Sequence, residues 1–357
     1  MKKLILILLF PLLNTILYAQ YKKEAENIVN EGVAYHDKGD YEGAIAKYDK
    51  ALGIDKDNLL ALAEKAYSLL SLEKFDESIQ CCIKGIETHK GDEILGNIYV
   101  TYGNALDGLK KTDQALAIYE EGIKLFPGYY QLYFNKGITL AGIKKTEEAI
   151  HCFQESIVLN PKHASSHNGI ANLLMYKKKR IPALLAYSRF LVLEPNGKRA
   201  KANLGSLQNI MKGNVEATSK KSVTINISSD MLNDTAIDGK AKENSFTTTD
   251  LILAMDAAMD YDKKNKKKSE VAQFIRKFKT VCASLEETQK NNYGFYWSYY
   301  VPYFVAMNEK KFIETFAYIA FASSDDPDVS KWLNSHKSEI KTFYEWSNTF
   351  EWKKGEN

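Results

Sequence analysis

His163 and His167 stand four residues apart, the spacing that puts two imidazoles on one face of a helix and makes half of a zinc site. A hydrolytic metal helix also needs a glutamate beside the first histidine, and Ala164 stands there; no carboxylate or third histidine accompanies the pair. The two rings are therefore expected to pack, and no metal or cofactor is expected. A phosphate-cradling glycine loop, a GxSxG elbow and an HExxH helix are all absent, and no set of nucleophile, base and orienting group is visible, so the chain reads as no enzyme. The densest unusual chemistry is aromatic: Tyr293 to Phe304 holds eight aromatic residues in twelve. Phe295, Tyr299 and Tyr303 share one helical stripe, and Tyr296, Tyr300 and Phe304 the next. This run is either the core of a helical bundle, kinked at Pro302, or a stacking platform for glycan or peptide aided by Trp332, Trp346 and Trp352.

The elements that would position these residues are helices. Of 357 residues, 45% are hydrophobic and 26% charged, with 7 Pro and 20 Gly, a composition poor in the turn residues of an all-β sandwich. Lys and Arg number 48 against 45 Asp and Glu, so no global field draws the chain to nucleic acid. The segment MKKLILILLFPLLNTILYA, residues 1–19, resembles a Sec-type bacterial signal peptide, with Lys2 and Lys3 ahead of an apolar run from Leu4 to Ala19. Cleavage after Ala19 and export to the periplasm or the medium are expected, although Leu17 is larger than the usual residue at that place. The other reading is a retained anchor, against which Pro11, Asn14 and Thr15 interrupt the run. No later stretch has membrane-spanning length.

Three columns of residues recur in phase. Small residues stand at Gly32, Ala66, Gly103, Gly137, Ala171 and Gly205; a second small column is Ala44, Ser78, Ala115, Ala149 and Ala183; a third, mostly aromatic, is Tyr48, Cys82, Tyr119, Phe153 and Tyr187. The steps are 34 residues, with one of 37 where three extra residues lie near Lys90 to Ile94. Each unit is two helices separated by a polar turn such as HDKGD or LEKFD, and three units end at Pro127, Pro161 or Pro195. Small residues let two backbones approach where helices cross, and an aromatic from the partner fills the space. This pattern resembles the tetratricopeptide repeat family over residues 22–212, as five units and a solo sixth helix from Lys198 to Met211. The resemblance implies an all-α, right-handed superhelical solenoid, its concave wall made by the first helix of each pair. Cys82 in the aromatic column, Gly85 and Gly122 in place of Ala, and Lys56 in place of Pro depart from the pattern. Cys81 and Cys152 hold corresponding positions two units apart, roughly 20 Å at about 10 Å per stacked pair, beyond the ~7 Å limit for a bridge. With Cys82 adjacent and Cys282 distant, four free thiols are expected.

Residues 213–247 are polar and aperiodic and read as a linker, within which SVTINIS alternates Val223, Ile225 and Ile227 with polar residues as an extended segment does. That segment either lies in the solenoid groove as an autoinhibitor or packs on an edge. From 248 to 357 helical periodicity returns as a small aromatic-rich bundle, broken at DKKNKKK, QKNNYG, MNEKK and SSDDPD; Asp326 and Pro327 read as a cap and first helical residue. Residues 162–212 carry ten basic residues against Glu194 alone, whereas residues 20–161 hold 16 basic and 23 acidic.

These features imply a non-enzymatic exported scaffold that binds a protein or peptide segment in its groove, with no nucleic-acid partner. The alternative is an envelope glycan-binding or glycan-acting accessory protein that uses the aromatic C-terminal region. If the small column packs on the partner helix, the stripe one residue onward faces inward: Val29, Val33, Tyr67, Asn97, Val100, Asn104, Gln131, Phe134, Asn168, Asn172 and Arg199. Amides on that wall supply donors and acceptors to the main chain of an extended peptide whatever its side chains.

Overall fold

The computed structural model describes residues 20–218, 222–226 and 243–353. The expected signal segment, residues 1–19, and most of the expected linker lie outside them. By contact the chain divides into two compact units, Met1–Cys152 and Phe153–Asn357.

The first unit is a run of paired helices: α1 over residues 20–36, α2 Tyr41–Ile54, α3 Leu59–Ser71, α4 Phe75–Thr88, α5 Leu95–Gly108, α6 Thr112–Leu125, α7 Tyr130–Gly142 and the start of α8, Thr146–Leu159. Polar residues open these helices where sequence allows. Asp40 accepts from the Gly43 N–H at 2.9 Å and Asn58 from the Ala61 N–H at 2.9 Å. Within each pair the first helix ends in one recurring turn. Two or three residues past its end the chain is left-handed, at Gly39, Glu73, Lys110 and Lys144, with φ of 80°, 58°, 62° and 63°. Two bonds close the turn, as where Lys111 N–H reaches the Leu106 carbonyl and Lys110 N–H the Asp107 carbonyl, both at 2.9 Å.

The columns do the packing expected of them. A methyl group added at Gly32 would overlap the Tyr48 ring, and one at Gly103 the Tyr119 ring, so only glycine permits these crossings. Ser78, in the second column, is fully buried and donates to the Ala66 carbonyl at 2.8 Å, which satisfies a hydroxyl where other units have Ala. One core gathers Ala25, Ile28, Val29, Ala44, Tyr48 and Ala51. Another runs from Leu59 through Cys82, Tyr99 and Tyr119 to Leu132. Ion pairs recur outside: Asp49 with Lys65 at 2.5 Å and Glu120 with Lys136 at 3.1 Å join the residue after the aromatic column to the residue before the next small one.

The second unit begins within α8 and continues through α9 Ala164–Tyr176, α10 Arg180–Leu193 and α11 Lys198–Met211. Strands β1 Val215–Ala217 and β2 Val223–Ile225 then pair antiparallel, Val215 opposite Ile225. The described part of SVTINIS is thus the second strand of a hairpin that packs against α12. Seven helices complete the unit: α12 Thr247–Ala258, α13 Glu270–Thr288, α14 Phe295–Tyr299, α15 Val301–Glu309, α16 Ile313–Ala320, α17 Pro327–Ser335 and α18 Lys337–Thr349. Asp326 caps α17, accepting from Asp328 N–H at 2.9 Å.

α10 is the hub. Every residue from Ile181 to Val192 is buried, because α9 and α11 pack on it as in any repeat while α12 and α16 pack on it from the later chain. Its first residue, Arg180, donates to the Ile210 carbonyl at 2.8 Å and pairs with Asp250 of α12 at 3.0 Å. The aromatic run breaks at Tyr300 between α14 and α15, and Pro302 sits in the first turn of α15, where its missing N–H costs no helical bond. The turn from α15 to α16 repeats the solenoid turn: Lys311 has φ 60°, its N–H reaches the Asn308 carbonyl, and Phe312 N–H reaches Met307. All four cysteines are free thiols.

Candidate functional site

In the first unit, the stripe one residue past the small column carries its side chains at graded depth. Val29 is completely buried, packed with Ala25, Ile28 and Tyr48, and its side chain belongs to that core. Val33, Val100 and Phe134 are half-buried, and Tyr67 is half exposed. Tyr67 stacks on His36 with ring centres 4.8 Å apart, and His36 bonds the Ser68 hydroxyl through Nδ1 at 2.7 Å. His36 lies three residues beyond Val33 on the same stripe. Its place was readable from the 3-4 spacing, but it lies at the helix end where the columns no longer mark the face.

Two of the amides are held by tyrosines. Tyr119, in the aromatic column, donates its hydroxyl to Asn104 Oδ1 at 2.6 Å, and Tyr129 donates to Asn97 Oδ1. Each bond fixes which way the amide faces and leaves the NH2 as a donor for a ligand. Gln131 has the opposite character: its side-chain oxygen is buried and accepts from no group among the described residues. Burial, with the Asp37 carboxylate nearby, pushes Glu64 above the usual carboxylate range. Glu64 shares the stripe with Tyr67 by i−3 spacing, and nothing in its own neighbourhood of sequence marks it.

In the second unit, Asn172 repeats the device of Asn104, accepting from Tyr187 at 2.7 Å. The two pairs occupy equivalent positions, whereas Val33 stands where the first unit's Tyr48 would need an amide. Asn168 Oδ1, like Gln131, is buried without a donor among the described residues. Arg199 is exposed and pairs with Glu194 through Nε at 2.9 Å while donating to Ser165 Oγ at 3.1 Å.

The two histidines serve structure. His163 bonds Ser166 Oγ at 2.7 Å. His167 is fully buried between the Pro161 carbonyl, 3.1 Å from Nε2, and the Tyr300 hydroxyl, 2.7 Å from Nδ1. A carbonyl only accepts, so Nε2 carries the proton and Nδ1 accepts from Tyr300. Six of the eight aromatics in the run are buried: Tyr296, Trp297, Tyr299, Tyr300, Tyr303 and Phe304. Tyr299 donates to the Ile157 carbonyl at 2.7 Å. Trp332 stacks with Tyr318 at 4.1 Å and with His336 at 4.0 Å, and two rings that close to one centre occupy its opposite faces.

A cavity of about 400 Å³ opens beside α11 over Met211, Phe274 and Phe321. On its polar rim Lys277 pairs with Asp260 at 2.6 Å, and Gln208 donates to Glu270 at 2.8 Å.

Residues 32–72 match a TPR repeat model, and residues 96–129 and 130–163 each match a tetratricopeptide repeat model. The chain carries tetratricopeptide repeats. It is 33% identical over 92 residues to the "Protein STIP1 homolog" of Dictyostelium discoideum, covering 24% of this chain and 16% of that protein. It is 31% identical over 108 residues to the small glutamine-rich tetratricopeptide repeat-containing protein of the same organism, covering 30% of this chain and 31% of the relative. The chain thus spans less than a third of either. Among solved structures, PilF of Pseudomonas aeruginosa is 23% identical with a TM-score of 0.46, covering 53% of this chain and 83% of that one.

Proposed function

We propose that the chain is an exported, non-enzymatic tetratricopeptide scaffold that binds an extended peptide or protein segment along the face carrying Tyr67, Asn97, Asn104 and Gln131. The observation that carries this reading is Gln131 Oε1, a buried acceptor without a donor among the described residues, on the same wall as two amides whose oxygens are held by tyrosines, which turns their NH2 groups away as donors. A buried polar atom left unpaired costs about 1–3 kcal/mol, and a peptide N–H removes that cost on binding. The exposed Tyr67 ring, braced by His36, adds an amphipathic contact of the kind enriched at interfaces. Selection of unstructured peptides from a displayed library against the full chain tests the reading. Selected peptides lose about tenfold or more in affinity to the Gln131→Ala and Tyr67→Ala variants. Peptides indifferent to both substitutions would refute it.

Export rests on residues 1–19, whose basic start and interrupted apolar run suit recognition and release. Intact-mass measurement of the native protein tests this, with a mass beginning at Gln20 as the expected result. A glycan-contacting role would require open rings, and the aromatic residues of the second unit are mostly spent on one another.

A further inference from the structure

The turn between α12 and α13 holds Lys263, Lys264, Lys266, Lys267 and Lys268, all exposed. None of their ammonium groups has an acidic partner among the described residues. The turn is a built feature. Asn265, in its middle, is buried; its side chain donates to the Met259 carbonyl at 3.0 Å, and its own carbonyl accepts from Gln273 Nε2 at 3.1 Å. The Asp262 carbonyl accepts from the Asn265 and Lys266 N–H groups at 3.1 and 2.9 Å. With Asn265 pinned inward, the flanking lysines are held outward as a compact cluster that repels itself.

The neighbouring acids do not neutralise it. Asp256 accepts from Arg276 at 2.6 Å, and Asp260 pairs with Arg276 and Lys277, both at 2.6 Å, so the carboxylates of this stretch face α13. Beside the five lysines stand Asp262 and, two residues past Lys268, Glu270, which accepts from Gln208 at 2.8 Å. Next to the cluster lie three large apolar residues in solvent: Met255, 59% exposed, Met259 and Tyr261, both 46%. Met255 and Met259 fall on one helical face, continued by the half-buried Leu251 and Ile252. Tyr261 is held at its hydroxyl end by the Val215 carbonyl at 3.3 Å.

We infer that this corner of the second unit docks on an anionic lipid bilayer, the lysines on headgroup phosphates and Met255, Met259 and Tyr261 at the level of the upper acyl chains. A shallow apolar stripe beside clustered lysines is the composition that membrane interfaces select. Nucleic acid fits less well, because the turn has no arginine fork for phosphate or base edges and no pair of open flat rings for base stacking.

The test is sedimentation of the full chain with vesicles of phosphatidylcholine alone or with about one third phosphatidylglycerol, read as the ratio of anionic to neutral partitioning, which cancels any contribution indifferent to headgroup charge. The ratio is expected to exceed about a hundred at low salt, to fall as salt rises, and to drop about a hundredfold, some fivefold per charge, toward one in the Lys266→Gln/Lys267→Gln/Lys268→Gln variant. The Met255→Ser/Met259→Ser variant keeps the salt dependence and loses the binding that persists at high salt. Both variants alter exposed side chains, and an unchanged thermal melt shows that they fold. A ratio near one, a ratio untouched by the triple substitution, or binding to duplex DNA or polyglutamate in preference to the anionic vesicles overturns the inference.

Discussion

His167 Nδ1 and the Tyr300 hydroxyl are 2.7 Å apart across 133 residues of chain, a bond that ties the fifth repeat to the aromatic run. Burial, with smaller contributions from Arg189 and His163, lowers the pKa of His167 from 6.5 to about 3. The ring is neutral in the fold at neutral pH, and its free nitrogen needs the Tyr300 proton.

That depression makes stability fall with acid. Below pH 6.5 the unfolded chain takes up a proton that the folded chain refuses until about pH 3, so unfolding gains roughly 1.4 kcal/mol per pH unit across that window. Urea midpoints at pH 7 and pH 5 are expected to show about 2 kcal/mol lost to this residue. His167→Gln, which does not titrate, should show a correspondingly flatter profile, and Tyr300→Phe should cost about 1–3 kcal/mol at pH 7 by leaving Nδ1 without a donor.

Arg189 is buried with no carboxylate among its bonded partners in the described residues. Its guanidinium lies 5.2 Å from the Tyr303 ring centre and 4.9 Å from that of Trp352, and donates to Ser347 Oγ at 3.0 Å. Tyr303 and Ser347 already bond each other at 2.7 Å. Arg189→Met therefore leaves no side-chain partner stranded, whereas Arg189→Lys buries a more strongly hydrated charge that cannot lie flat on the rings. Chemical denaturation should show Lys as the worse substitution by about 2 kcal/mol.

The small column predicts opposite signs for one chemical change. Gly103→Ala forces a methyl into the Tyr119 ring and is expected to lower stability by about 1–3 kcal/mol. Gly205 occupies the same column in α11, but a methyl there meets no heavy atom within 4 Å among the described residues. Gly205→Ala should raise stability by up to ~1 kcal/mol through helix propensity, read as an upward shift of Tm.

The recurring turn carries a strained residue wherever it lacks glycine. Lys144, at φ 63°, pays a left-handed penalty of roughly 1–2 kcal/mol, which Gly39 avoids in the first pair. Lys144→Gly should gain about 0.5–1 kcal/mol after the added freedom of the unfolded chain is subtracted, and Gly39→Lys should lose a similar amount. Thermal melts of the two variants check the pair.

The repeat was legible because helix crossings impose a small residue and an aromatic at every unit, so the contact leaves a periodic mark: Gly103 under Tyr119 announces itself by Gly32 and Tyr48. Residues one step along, such as Asn104 and Gln131, could be placed on a face by the same register. Their hydrogen-bond state could not, because whether an amide oxygen is taken depends on a tyrosine 15 or 32 residues away.

Beyond Met211 the sequence determined only that helices follow and where some begin, as Asp326 and Pro327 show. That α10 would be buried on every side, and that Arg189, His167 and Ile157 would meet Tyr303, Tyr300 and Tyr299, was decided by tertiary structure. The physical reason is that these contacts join positions more than a hundred residues apart and occur once. A bond made once leaves no period to read, and the aromatic composition that permits it is equally compatible with an open binding surface.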